Sequence, residues 1–189
     1  PSRLVGHSNI YYNNLNRENL RKLEKIWDIP EKSINSSFQN FINILQKWEG
    51  GYLFLPHAHA GVGIMKYRIP EMPDNMTNVE ICSLHGIFED FYKGWLEEGH
   101  LVGVNGGGDN HMTNAGNAKG GYHYPNTNGL AAVYASSKSR EQIWNGIKTR
   151  KTYAVTSSQH IFLDFSINEA RMGEVSNDVQ ESRKINLEV

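Results

Sequence analysis

Asp109 and His111 stand two residues apart, just after the glycine run Gly106-Gly107-Gly108. Side chains two apart at the mouth of a strand point to the same side of the chain. A carboxylate beside an imidazole suits a divalent metal of the zinc, manganese or iron type. The glycines allow a sharp turn and a close backbone approach, which makes Gly107 and Gly108 candidates for substrate contact. An ordinary polar loop can carry the same short motif, so the upstream histidines matter. His57-Ala58-His59 closes an apolar run, with Pro56 fixing the chain just before it. Both imidazoles can face one metal or two adjacent ones; two plain loop histidines are the alternative. Glu80 lies inside Val79-Glu80-Ile81-Cys82. Buried there, a carboxylate needs a cation or strong donors; a strand-end Glu facing water is the other reading.

His7, between Gly6 and the polar Ser8-Asn9, reads as either a metal ligand or a surface residue. His85 precedes Gly86 at a helix start, where it serves the cap region or stands in or behind the ligand set. His123, between Tyr122 and Tyr124, can line a pocket. His100 and His160 read as structural, and Cys82 as a small buried residue. There is no phosphate-loop signature, no Ser-His-Asp set with an elbow and no paired-cysteine metal knuckle.

At 189 residues the chain makes one domain, or one and a small part of another. A formal net charge of −1 with no basic run argues against nucleic-acid or membrane-surface binding as the main activity. The single cysteine permits no internal disulfide. No apolar stretch is long enough to span a bilayer, and no signal peptide is visible. Both ends look cut, at Pro1 and within Lys184–Val189, so the compartment stays open.

Several elements must position these residues. A strand is expected over Leu4–Tyr12. Helices are expected from Asn14 or Asn16 to about Trp27 and from about Ser37 to Trp48. Tyr52–Pro56 reads as a buried strand, and Val79–Cys82 as another. A helix from about Ile87 to Glu98 presents Phe88, Phe91, Tyr92 and Trp95 on one face, and Leu101–Asn105 follows as strand. Residues 66–77 and 112–128 read as loop; the second is long enough to be functional. Gly129–Ala135 is strand. Ser139 and Gln142 form a capping box for a helix carrying Ile143, Trp144 and Ile147. Lys151–Thr156 returns as strand. From Ile161 the residues alternate with period two, as in a half-solvated antiparallel strand. Strand–helix alternation up to Thr156 favours a parallel sheet or an α/β barrel, whose site lies at the carboxyl ends of the strands.

With these residues in hand, the chain resembles the PHP (polymerase and histidinol phosphatase) superfamily, and in particular a PHP-like branch. The resemblance rests on Gly6-His7-Ser8-Asn9-Ile10-Tyr11, Leu55-Pro56-His57, Val79-Glu80-Ile81 with His85-Gly86, and Gly108-Asp109-Asn110-His111. Gly129–Ala135, Ser139-Arg140-Glu141 and Arg150–Ala154 extend it over nearly the whole chain. It implies an α/β fold, here a partial distorted (β/α)7 barrel over residues 1–156, with the start of a β-rich extension over 157–189. It also implies two or three divalent metals held by His57, Asp109, His111 and His7. His59, Glu80 and His85 stand as further ligands or as support behind them. The family's opening His-x-His and its following carboxylate are absent from this sequence.

The reading that follows is a metal-dependent hydrolase, a phosphoesterase acting on a small-molecule phosphoester through metal-activated water. The chain itself would be an incomplete piece, inactive in isolation, and would need the missing amino-terminal half or a homo-oligomer partner. Two alternatives stand beside it: a non-catalytic binding or scaffold module, and a metal-dependent hydrolase of a non-phosphate bond.

Overall fold

The computed structural model describes residues 8–13, 17–18, 21, 43, 51–58, 73–109, 116, 129–156, 160–177 and 184–189. The helices expected over 14–27 and 37–48 and the loop 112–128 lie almost wholly outside these residues. Arg17, Glu18, Arg21 and Asn43 are helical where they are described.

Most of the expected strands form. β1 (Ser8–Tyr12) pairs antiparallel with β2 (Tyr52–Pro56), placing Ser8 opposite Pro56 and Tyr12 opposite Tyr52. β3 (Asn78–Ser83) is buried along its full length, as its apolar run requires. It pairs with the two-residue β4 (Gly86–Ile87) through a tight turn. The chain then enters helix α1 (Glu89–Glu97) and returns as β5 (Gly103–Gly106), parallel to β3. β3 and β5 form the one parallel ladder among the described residues. α1 buries Trp95 in the core and packs Phe88, Phe91 and Tyr92 against it, as its spacing predicts.

β6 (Leu130–Val133) and β7 (Thr152–Val155) flank helix α2 (Arg140–Lys148). Ser139 caps α2, its hydroxyl accepting from the Gln142 backbone N–H at 3.3 Å. The reciprocal half of the expected capping box does not form. The Gln142 side chain instead accepts from the Ser136 hydroxyl at 2.9 Å. The period-two run becomes β8 (Asp164–Ile167), the centre of an antiparallel sheet with β9 (Ala170–Arg171) and β10 (Ile185–Glu188).

The barrel expectation is overturned. Ten short strands form four small sheets among the described residues, none of them closed. A (β/α) barrel needs every neighbouring pair parallel. Here α2 joins two strands that lie antiparallel, and β1 meets β2 antiparallel as well. Strand–helix alternation in a sequence does not encode strand direction, which explains the error. The sheets are nevertheless linked sideways. A single parallel bridge joins His57 to Glu80, and the Thr152 hydroxyl sits 2.7 Å from both Val104 O and Asn78 Oδ1. The Asn78 amide in turn donates to the Ile147 carbonyl at 2.6 Å, tying the end of α2 to β3.

The core comprises Tyr52, Phe54, Ala58, Met76, Val79, Ile81, Trp95 and Val102, with Ile10, Tyr12 and Val104 packed against it. Strand alternation puts Asn9, Tyr11, His57, Glu80 and Asn105 on the opposite face. No helix among the described residues is long and apolar enough to cross a membrane.

Candidate functional site

Register builds the site. The bridge places His57 beside Glu80, and the β3–β5 pairing places Glu80 beside Asn105. Three polar side chains therefore lie in one row across β2, β3 and β5. The β3–β5 register shifts between Glu80 and Cys82, a local irregularity of the sort that re-aims side chains near active sites. The Glu80 carbonyl accepts from Ala58 N–H at 2.8 Å, and Cys82 O from Gly107 N–H at 2.9 Å, so the strand ends are pinned together.

Glu80 is only 4 % exposed. His57 Nδ1 lies 3.2 Å from its Oε1. The ring N–H is not aimed along that line, and Oε1 is left without a hydrogen bond. Asn9 Nδ2 lies 3.3 Å from His57 Nε2 and 3.4 Å from Glu80 Oε2. The Asn9 amide nitrogen thus lies between the imidazole and the carboxylate. Burial, and after it the charge of Asp109, pushes the Glu80 carboxyl up to about 8.

Asp109 makes the second pair, its Oδ2 lying 2.9 Å from His85 Nε2. The His85 backbone N–H donates to Ser83 Oγ at 3.2 Å, which ties the β3–β4 turn down. Asp109 adopts φ 40°, a left-handed conformation uncommon outside glycine that is often kept at functional sites. Tyr11 stands half-exposed on the site face. Partial burial and then the Glu80 charge raise its phenol above the usual range. Asn105 contributes a buried Oδ1 with no hydrogen-bond partner.

Gly107 also has a steric task. A Cβ there would lie 2.0 Å from Glu80 Oε2 and 2.4 Å from its Cδ. The missing side chain makes room for the carboxylate. Gly108 is half-buried beside it.

Of the residues singled out from the sequence, His57 and Glu80 form one pair and His85 and Asp109 the other. The two are linked by the repulsion between their carboxylates. His7, His59, His111 and His123 lie outside the described residues. Among the described residues, no three of His, Cys, Asp and Glu close around a single point. Sequence reasoning missed Asn9, Tyr11 and Asn105 as site residues. The alternation of Asn9 and Tyr11 along β1 was the available signal, but it shows only a shared face, not what that face meets. His100 is structural as expected: its backbone N–H donates to Trp95 O at 3.0 Å and its ring stands edge-on to the indole. Cys82 is buried, and burial pushes its thiol up to about 12.

Comparison with known families corrects the assignment to the PHP superfamily. Residues 89–179, a little under half of the chain, match the family described as "Protein of unknown function (DUF3604)", and no PHP family matches. The matched segment contains Asp109 but neither His57, Glu80 nor His85. The short segments behind the PHP resemblance, Val79-Glu80-Ile81 and Gly108-Asp109 among them, are individually too common to specify a family. No curated protein and no solved structure matches the chain.

Proposed function

We infer that the His57–Glu80 and His85–Asp109 pairs are the ligand set of a divalent-cation-dependent hydrolase acting on phosphoesters. The observation that carries this reading is Glu80. A buried carboxylate that feels a second carboxylate, and whose Oε1 lacks a directed donor, is poorly accommodated without a cation. Two imidazoles and two carboxylates are the mixed nitrogen and oxygen donors that zinc, manganese or iron accept. Such an ion, when bound, lowers the pKa of a water and polarises the bond under attack.

The chain's own residues do the positioning. Asn9 lies within reach of both His57 Nε2 and Glu80 Oε2 and so ties the two side chains together on one face. Gly107 admits the Glu80 carboxylate. The backbone at Asp109 aims its side chain toward His85. Tyr11, with its half-exposed phenol, is placed to donate to an anionic substrate at the rim. A pair of protein donors leaves positions on an ion open for substrate oxygens, and a phosphoester supplies several anionic ones where an amide offers one neutral carbonyl. This favours the phosphoester over other bonds.

One observation favours the binding-module reading instead: among the described residues the two pairs do not close on one point. A single experiment separates the two. Metal-free protein is titrated with manganese, then assayed with phosphomonoester and phosphodiester substrates. The hydrolase reading expects metal binding and turnover, both lost in Glu80→Gln. Binding without turnover assigns the site to a binding module, and no binding removes the metal from both accounts.

A further inference from the structure

A second group of unmet polar side chains lies where β8 and β9 approach Tyr134, just after β6, and Lys151, just before β7. Arg171 on β9 pairs with Ser166 on β8. Asp164, two residues before Ser166, therefore shares a face with Arg171 as its diagonal neighbour. Long side chains reach across that separation, yet among the described residues no ion pair of 4.0 Å or less joins the two. Both instead border a cavity of about 110 Å³ that Tyr134, Lys151 and Met172 complete.

Tyr134 makes this cavity a polar problem. Its hydroxyl is buried and has no hydrogen-bond partner, which a buried polar group rarely tolerates. The ring is held in place: Tyr153 lies 5.8 Å away at 49°, and Phe162 lies edge-on at 6.1 Å. Burial raises the Tyr134 phenol, Asp164 raises it further, and Arg171 opposes them, so both charges reach the hydroxyl. Lys151 contributes less, because Glu174 Oε1 sits 3.6 Å from its ammonium. What remains is a carboxylate, a guanidinium exposed at the rim and a phenol, arranged as a negative and a positive pole around one small space.

We propose that this cavity binds a compact zwitterion of the α-amino-acid class. The Arg171 fork takes the carboxylate, Asp164 accepts from the ammonium, and the Tyr134 hydroxyl donates to a carboxylate oxygen. Guanidinium and carboxylate planes match in bidentate pairs, and Met172 lies against the carbon between the two poles. The volume has room for about three or four waters, which limits the ligand to a small side chain or none. All five lining residues fall inside the segment 89–179, and none belongs to the candidate metal site.

The test uses the full chain, with glycine as probe and acetate and methylammonium as ligands carrying one pole each. Binding is read by calorimetry and by the Tyr134 ring resonances. Glycine is expected to bind saturably in the millimolar range, and acetate and methylammonium at least about tenfold more weakly. Asp164→Asn and Arg171→Gln should each weaken glycine by a similar factor. Tyr134→Phe removes one oxygen and keeps the ring packing, so its loss of affinity is not a loss of fold. No saturable response to glycine, acetate binding as tightly as glycine, or unchanged affinity in Asp164→Asn with Tyr134→Phe overturns the proposal.

Discussion

Replacing Glu80 by Gln removes one ionisation and keeps nearly the same volume, which makes it the sharpest probe of the buried carboxylate. In the unfolded chain the group titrates near 4.5; in the fold, burial and the Asp109 charge carry it to about 8. A folded pKa above the unfolded one means that the native state binds the proton more tightly. The stability contributed is complete below the unfolded value and is lost as pH rises through the folded one. Between these limits metal-free protein should lose stability by up to about 1.4 kcal/mol per pH unit. The gap integrates to about 5 kcal/mol, a large share of the 5–15 kcal/mol that holds a typical domain together. The assay is denaturant unfolding with a chelator present, across about pH 5 to 9, on wild type and Glu80→Gln. Groups that do not feel Glu80 cancel in the difference. That difference should open as pH rises and level off above the folded pKa, with Gln the more stable at high pH. A flat difference would refute the reasoning. So would a wild type that gains stability over the same range, because His57 would then be an imidazolium holding Glu80 ionised.

Three further outcomes follow from neighbouring groups. Asp109→Asn removes the second cause of the Glu80 shift, so the alkaline end of the same profile should move to lower pH; an unmoved profile would leave burial as its sole cause. Gly107→Ala puts a methyl group 2.0 Å from Glu80 Oε2. Overpacking of this kind costs about 1–3 kcal/mol, seen as a melting temperature lowered by about 2–4 °C per kcal/mol, and Glu80→Asp in the same chain should recover part of it. Thr152→Val strips Asn78 Oδ1 and Val104 O of a 2.7 Å hydrogen-bond donor and should cost about 1–3 kcal/mol in chemical denaturation.

What could be read from the sequence was local. The apolar run at 52–56, the aromatic face at 88–95 and the Ser139 cap each announce an element through composition and period, and each forms. The lateral arrangement was not readable. Nothing within Leu130–Val133 or Thr152–Val155 states that the two run antiparallel, and that direction separates small sheets from a barrel. The site shows the same division. Glu80 stands out as a carboxylate in an apolar strand, but its neighbours come from cross-strand register: Asn9 through the β1–β2 pairing and Asn105 through β3–β5. Gly107 shows the limit most clearly. A glycine run beside an Asp says nothing of the Glu80 side chain that the neighbouring strand sends into the space Gly107 leaves.

The account rests on a cation binding at the His57–Glu80 and His85–Asp109 pairs. Its most direct test is the manganese content of purified protein after dialysis against the metal, measured by elemental analysis in wild type and Glu80→Gln. The expected result is stoichiometric metal in the wild type and loss of most of it in the variant. Equal metal in both, or none in either, would contradict the claim.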